Sequence, residues 1–132
     1  ELNGVPISGA WQSYTPTLTN FHGSSTVTGL YKQVGKIVHF KVRITLGGAP
    51  TGSLSCSLPV TAADSTYVTV MGGGHGFDGS FNWFLWPQLA TTTTMAIWAM
   101  TTTGRVAATS ASSPTAWAAS DYMILTGTYE AA

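Results

Sequence analysis

Five carboxylates are all the acid chemistry this 132-residue chain can draw on: Glu1, Asp64, Asp78, Asp121 and Glu130. Hydrolysis of a glycosidic bond needs two of them facing one bond. The only imaginable pairs join Asp78 to Asp64 or Asp121, and nothing in the spacing favours either. His22, His39 and His75 are scattered and accompanied by a single cysteine, so no metal-ligand spacing is present. No Gly-x-Ser-x-Gly turn occurs to present a nucleophilic serine; Gly52-Ser53 and Gly79-Ser80 both lack the second glycine. Gly72-Gly73-Gly74-His75-Gly76 is glycine-rich like a phosphate cradle but lacks the following Lys-Ser/Thr, and reads as a flexible turn. These residues predict no catalytic site, no metal and no cofactor.

Aromatic residues are the better lead. In Phe77–Trp86, FDGSFNWFLW, a strand reading puts Phe77, Phe81, Trp83 and Leu85 on one side. Asp78, Ser80, Asn82, Phe84 and Trp86 then fall on the other. With the first set in the core, Phe84 and Trp86 project beside short polar groups. Ring faces flanked by such groups suit sugar, through stacking on its apolar faces and hydrogen bonds to its hydroxyls. His75, Asp78, Asn82, Phe84 and Trp86 are therefore the candidate ligand-binding residues. The competing reading packs Phe84 and Trp86 against a neighbouring subunit, because large aromatics are enriched at interface cores.

The elements that would position these residues are strands. Thr, Ser and Gly stand where charges usually do: charged residues make up 8% of the chain against about 25% in ordinary soluble proteins. Thr and aromatics suit pleated, half-buried surfaces. The one Ala-rich region, Arg105–Ala119, is broken by Ser, Thr and Pro114. The fold class expected is all-β, an antiparallel, jelly-roll-like β-sandwich of about eight to ten strands spaced roughly 8–12 residues apart.

Its spine is Thr28–Leu46, where Val38, Phe40, Val42, Ile44 and Leu46 alternate with His39, Lys41, Arg43 and Thr45. Gly35-Lys36 makes it a hairpin. Its polar side reads as a solvated face or the lining of a subunit groove; as an anion-binding stripe it is weak. Leu54–Leu58, Tyr67–Met71, Met95–Met100, Arg105–Thr109 and Asp121–Glu130 supply further strands, with Pro59 and Pro87 as stops. Cys56 shares a face with Leu54 and Leu58 and is expected to be buried. Residues 1–10 read as a linker or the end of a shaft, and 11–132 as a single β-sandwich domain. A start at Glu1 rather than Met suggests a piece of a longer protein.

A net charge of zero argues against nucleic acid or an anionic membrane as the main partner. So few charges on so apolar a chain predict a homo-oligomer. No run approaches the ~20 apolar residues of a membrane helix, and no signal peptide is visible.

Several short pieces together resemble a known family. They are Trp11 with Tyr14-Thr15-Pro16-Thr17, Gly29-Leu30-Tyr31, Gly35-Lys36-Ile37-Val38 and Leu58-Pro59-Val60. At the end come Ala116-Trp117, Ser120-Asp121 and Leu125-Thr126-Gly127-Thr128-Tyr129-Glu130. In this order they resemble the C-terminal β-sandwich domain of bacteriophage tail-fibre, minor tail and head-fibre proteins, particularly in phages of actinobacteria. The segment Gly72–Thr109 has no counterpart in that resemblance.

The resemblance implies a virion structural protein, a homotrimer joined to other virion proteins on its N-terminal side, that binds host surface glycan and transfers no catalytic residues. Two alternatives are a purely structural assembly module and a secreted carbohydrate-binding module. A depolymerase acting through Asp78 is a third, weaker reading.

Overall fold

The computed structural model describes residues 10–64, 66 and 69–132. Their strands, in chain order, are β1 (Gln12–Tyr14), β2 (Leu18–Thr19), β3 (Thr26–Val34), β4 (Ile37–Thr45) and β5 (Ser55–Ser57). The second half adds β6 (Gly72–Phe77), β7 (Asn82–Leu89), β8 (Thr94–Met100), β9 (Val106–Ala108) and β10 (Tyr122–Glu130). No described residue is helical, every pairing is antiparallel, and the strand number falls in the expected range.

The strands form one continuous ladder in the order β1-β3-β4-β10-β6-β7-β8-β5-β2, with β9 added beside β8. Both edges, β1 and β2, are consecutive in sequence and separated only by Thr15-Pro16-Thr17. Four residue steps span at most about 14 Å, so the sheet must curl until its edges nearly meet. Ser57 helps to hold that closure: its hydroxyl accepts the Thr17 N–H at 2.8 Å, and its own N–H donates to the Thr17 carbonyl at 3.0 Å. The expected sandwich layering is thus produced by one sheet folded over on itself.

The period-two pattern of the spine decides which face turns inward. Val38, Phe40, Val42, Ile44 and Leu46 are all buried, and β10, paired residue for residue with β4, contributes Met123, Leu125 and Tyr129 to the same side. Leu85 and Leu89 of β7, Met95, Ile97 and Ala99 of β8, and Cys56 of β5 complete the lining. Each fully buried large aliphatic or aromatic side chain contributes about 1.5–3 kcal/mol, so this lining is the main source of stability. Burial pushes the Cys56 thiol up to about 12, which leaves it protonated and inert.

Two side chains brace the curled sheet from the loops. The Tyr129 hydroxyl donates to the Val60 carbonyl at 2.6 Å and accepts the Val60 N–H at 3.0 Å, and burial raises its pKa to about 12. Trp117, almost fully buried, donates its indole N–H to the Ser113 carbonyl at 3.2 Å.

The segment Gly72–Gly76 departs from expectation. It is strand β6, inserted between β10 and β7, and not a turn. A Cβ on Gly72 would collide with the Thr126 carbonyl, and one on Gly74 with that of Ile124. At Gly76 it would come within 2.5 Å of the Trp117 ring. Glycine is used here because β10 and Trp117 leave no room for a side chain.

Two further expectations are corrected. Phe77–Trp86 is not one strand but the end of β6 and most of β7, joined by a turn in which the Asp78 N–H donates to the Phe81 carbonyl at 3.2 Å and Gly79 adopts a φ of 88°. The turn resets the alternation, so Phe77 faces outward against Tyr122 (5.6 Å between ring centroids) and Phe81 stands exposed at the turn. Pro87 does not end the run: β7 continues to Leu89, and the Pro87 carbonyl accepts the Met71 N–H at 3.0 Å. Of the expected strand Tyr67–Met71, Tyr67 and Val68 lie outside the described residues, as do residues 1–9 of the expected linker; Val70 bridges Gln88 and Met71 is buried.

Substituting Gly74→Ala forces the β6 and β10 backbones apart. The expected cost is about 1–3 kcal/mol, the usual range for an overpacked core, read as a lower chemical-denaturation midpoint. The inner hydroxyl of Tyr14 is buried without a hydrogen-bond partner, and its pKa is raised well above the ordinary tyrosine value by burial first and then by Cys56 and Tyr129. Tyr14→Phe therefore removes an unsatisfied donor and should leave stability unchanged or raise it by about 1 kcal/mol. A clear loss in the same denaturation experiment would contradict the assignment.

Candidate functional site

The outward face of β6–β9 and the turn beside it carry all five predicted ligand residues, but in two groups. His75, Phe84 and Trp86 lie in the middle of the face. His75 pairs across the ladder with Phe84 and with Ile124, and its ring meets Tyr122 edge-on at 5.9 Å. Phe84 is 57% exposed and tilts over Trp86 at 5.4 Å. Trp86 also faces outward but is only 8% exposed. It lies between Phe84 and its register partner Trp98, its indole N–H reaching Gln88 Oε1 at 3.4 Å. Of the expected two-ring platform, only Phe84 presents an open ring.

A row of side chains, apolar except for His75, crosses this face: Ile124, His75 and Phe84 in register, then Met100 and Val106, the Leu85–Ala99 pair placing Phe84 and Met100 next along their strands. Cross-strand pairing explains the last step directly, because Met100 pairs with Val106. Phe84, Met100 and Val106 are each more than 40% exposed. An outward stripe of this kind is what a protein contact surface looks like.

The second group, Asp78 and Asn82, sits at one end of the curled sheet. Asp78 is the hub of the β6–β7 turn. Its Oδ1 accepts the N–H groups of Ser80 (2.9 Å) and Phe81 (2.7 Å), and its Oδ2 accepts the Trp83 indole N–H (2.9 Å) and the Thr115 hydroxyl (2.9 Å). These bonds, led by the one from Trp83, hold its carboxyl well below the usual aspartate range. With both oxygens engaged by four donors, Asp78 is a structural anchor and a poor acid, base or ligand. It ties the β6–β7 turn to the Pro114–Ala116 loop.

That tie frames a groove of about 680 Å³ lined by Ser80, Phe81, Asn82, Trp83, Thr102 and Pro114, among others. Phe81 is 68% exposed at its rim, the most open large apolar side chain among the described residues. The aromatic-plus-amide chemistry sought around Phe84 is therefore met here, with Phe81 in place of Phe84 and Trp86. The sequence carried the needed signal: Asp-Gly between two apolar alternating runs is a strong hairpin marker, and reading Asp78-Gly79 as a turn would have placed Phe81 on the outside.

Asp121 and Glu130 do not line that groove, although Asp121 Oδ1 comes within 4.0 Å of where a Cβ on Gly79 would stand. Asp121 is buried at the start of β10, where its Oδ2 accepts the Ala118 N–H at 2.7 Å. Glu130 ends β10, pairing across the ladder with Ile37. No group of three or more His, Cys, Asp or Glu side chains among the described residues could hold a metal ion.

Comparison with known proteins gives no further guide: no protein-family model, no curated protein and no solved structure matches the chain.

The Asp78 hub makes a pH prediction. A carboxyl whose folded pKa lies below its unfolded value of about 3.9 stabilises the protein above that pH and ceases to do so as pH falls toward its folded pKa. Asp78→Ala should therefore melt below the parent protein at pH 7, and the gap should narrow as the pH is lowered through 4. A gap that stays constant with pH would show that the carboxylate charge is not what organises the turn.

Proposed function

We propose that this domain is a non-enzymatic module of a bacteriophage particle, carried on a fibre or on the capsid, that attaches to host-surface carbohydrate. The observation that carries the adhesion half is the end groove. Phe81 projects from a turn fixed by four hydrogen bonds, beside the amide of Asn82 and the hydroxyls of Ser80 and Thr102. A ring of this kind stacks on a sugar ring, the neighbouring polar groups bond its hydroxyls, and the rigid turn avoids most of the ordering cost of binding. The phage assignment rests on the resemblance of the chain-end pieces. Those pieces meet in space: Tyr14 packs on Gly29 and edge-on against Tyr31 at 5.8 Å, and Val60 clasps Tyr129. The non-enzymatic reading is supported by Asp78, whose carboxylate is spent on the turn.

Self-association, as the trimer that the resemblance implies, would use the stripe of Phe84, Met100 and Val106. A purely structural assembly module is the second reading, and the same stripe favours it. A secreted carbohydrate-binding module would use the end groove in the same way.

Two variants separate these readings. On a glycan array and in a host cell-wall pull-down, Phe81→Ala should lose binding by about tenfold or more, as expected for a central aromatic anchor, while light scattering shows the oligomer intact. Phe84→Asp should shift the oligomer toward monomer. An intact parent oligomer that binds neither glycan nor wall material would eliminate adhesion and leave the assembly reading.

A further inference from the structure

We infer that the outward face of β3, β4 and β10 is a second binding site, for an anionic saccharide polymer bearing carboxylate or phosphate groups. This inference does not rest on the end groove or on the phage assignment.

The zero net charge conceals a strong asymmetry. Four of the five basic residues, Lys32, Lys36, Lys41 and Arg43, lie on the β3–β4 hairpin. Asp78 and Asp121 are engaged in turns outside this face. Among the described residues of this face Glu130 is the one carboxylate, two register positions beyond the His39–Thr128 pair. Lys32, Lys41 and Arg43 form no salt bridge with any described residue.

Register brings these cations together. Lys32 pairs with His39, Leu30 with Lys41 and Thr28 with Arg43, so Lys32 and Lys41 are diagonal neighbours, and Arg43 follows Lys41 on the same face. On the other side of β4, Lys41 faces Thr126 and His39 faces Thr128. The His39 ring and the Thr128 hydroxyl are hydrogen-bonded at 3.0 Å.

Aromatic rings hold the charged heads in place. The ammonium of Lys41 is 4.3 Å from the centre of the Trp11 ring, and that of Lys32 is 5.0 Å from the same centre. The Arg43 guanidinium lies 4.7 Å over Tyr122. Each contact lowers the cost of keeping a cation in one position. Two ammoniums held on one indole repel each other, and an anion bound beside them offsets that repulsion. Lys41 lines two depressions of about 500 Å³ each. One is bounded by Trp11, Lys32, His39, Thr126 and Thr128; the other reaches Arg43.

The ring contacts also choose between ligand classes. A single-stranded nucleic acid is held by free aromatic faces on which bases stack. Here cations already occupy the Trp11 and Tyr122 rings, so the rings serve as buttresses. What remains for the ligand is fixed positive charge flanked by threonine hydroxyls and a histidine. That set suits a sugar acid or sugar phosphate.

The test is a titration of the whole chain at about 20 mM salt, where surface charges are least screened. The probes are a glucuronate oligosaccharide, a phosphorylated dextran oligomer, inorganic phosphate, oligo-dT and neutral dextran. Binding of the uronate assigns a carboxylate ligand and binding of the phosphorylated dextran assigns a phosphate; either supports the site. The double substitution Lys41→Gln with Arg43→Gln should weaken that binding by about tenfold or more. Trp11→Leu should weaken it with the charge unchanged, which a merely electrostatic attraction would not show. Phe81→Ala should leave it intact. No binding of either polymer, retention of binding by the double variant, equal binding of dextran, binding of inorganic phosphate as tight as that of the polymers, or tighter binding of oligo-dT would each overturn the inference.

Discussion

The close approach of β6 to β10 is the contact on which the rest of this structure depends. β10 is the last strand in the chain, yet it lies in the middle of the ladder, between β4 and β6. On one side of that seam are β1, β3 and β4, on the other β7, β8, β5 and β2. The two halves join only because the facing positions of β6 are glycines, with the carbonyls of Thr126 and Ile124 lying where side chains would project. Gly127 of β10 plays a matching part, leaving room for the Phe40 ring. Curling follows from the same constraint, since a tightly apposed and twisted seam lets the sheet bring β1 and β2 to one corner.

The seam also divides the outer surface. Toward β4 the outward face is basic and buttressed by Trp11 and Tyr122; toward β7 it is apolar and carries Phe84, Met100 and Val106. Gly73 lies outward at the boundary, and the Phe84 ring comes closest to the space it leaves open, at 3.9 Å from where a Cβ would stand. A charge-poor chain thus keeps two chemically different faces apart on one rigid sheet, with the Phe81 groove at one end of it as a third surface. Loops on a rigid scaffold are where binding residues tend to gather, and the β6–β7 turn fits that pattern through its aspartate hub.

Much of the scaffold is legible in the sequence. The alternation in Val38–Leu46 sets the inward face of β4, and through register that of β3 and β10 as well. Gly35, at a φ of 59°, marks the hairpin between them, and the burial of Cys56 follows from its place between Leu54 and Leu58. The site is less legible, for physical reasons. Glycine signals both turns and close backbone approach, and a run of four in Gly72–Gly76 is read locally as the first, although its cause is a strand fifty residues away. The Asp78 turn shifts the alternation, which moves Phe77 outward and exposes Phe81. Trp86 obeys the predicted direction but not the predicted exposure, because its cover comes from Phe84 and from Trp98 on another strand. The basic stripe is visible as charges; its preorganisation depends on Trp11, from the stretch before β1, and on Tyr122, the first residue of β10.

Native-state hydrogen exchange of the backbone amides tests the seam most directly. If β6 and β10 are locked together as the glycines require, the amides of both strands should exchange only through global unfolding, with the highest protection in the chain. If the β6 amides instead exchange through a local opening far below the global free energy, the glycine segment is a loose flap. The account of one curled sheet holding two separate faces would then fail.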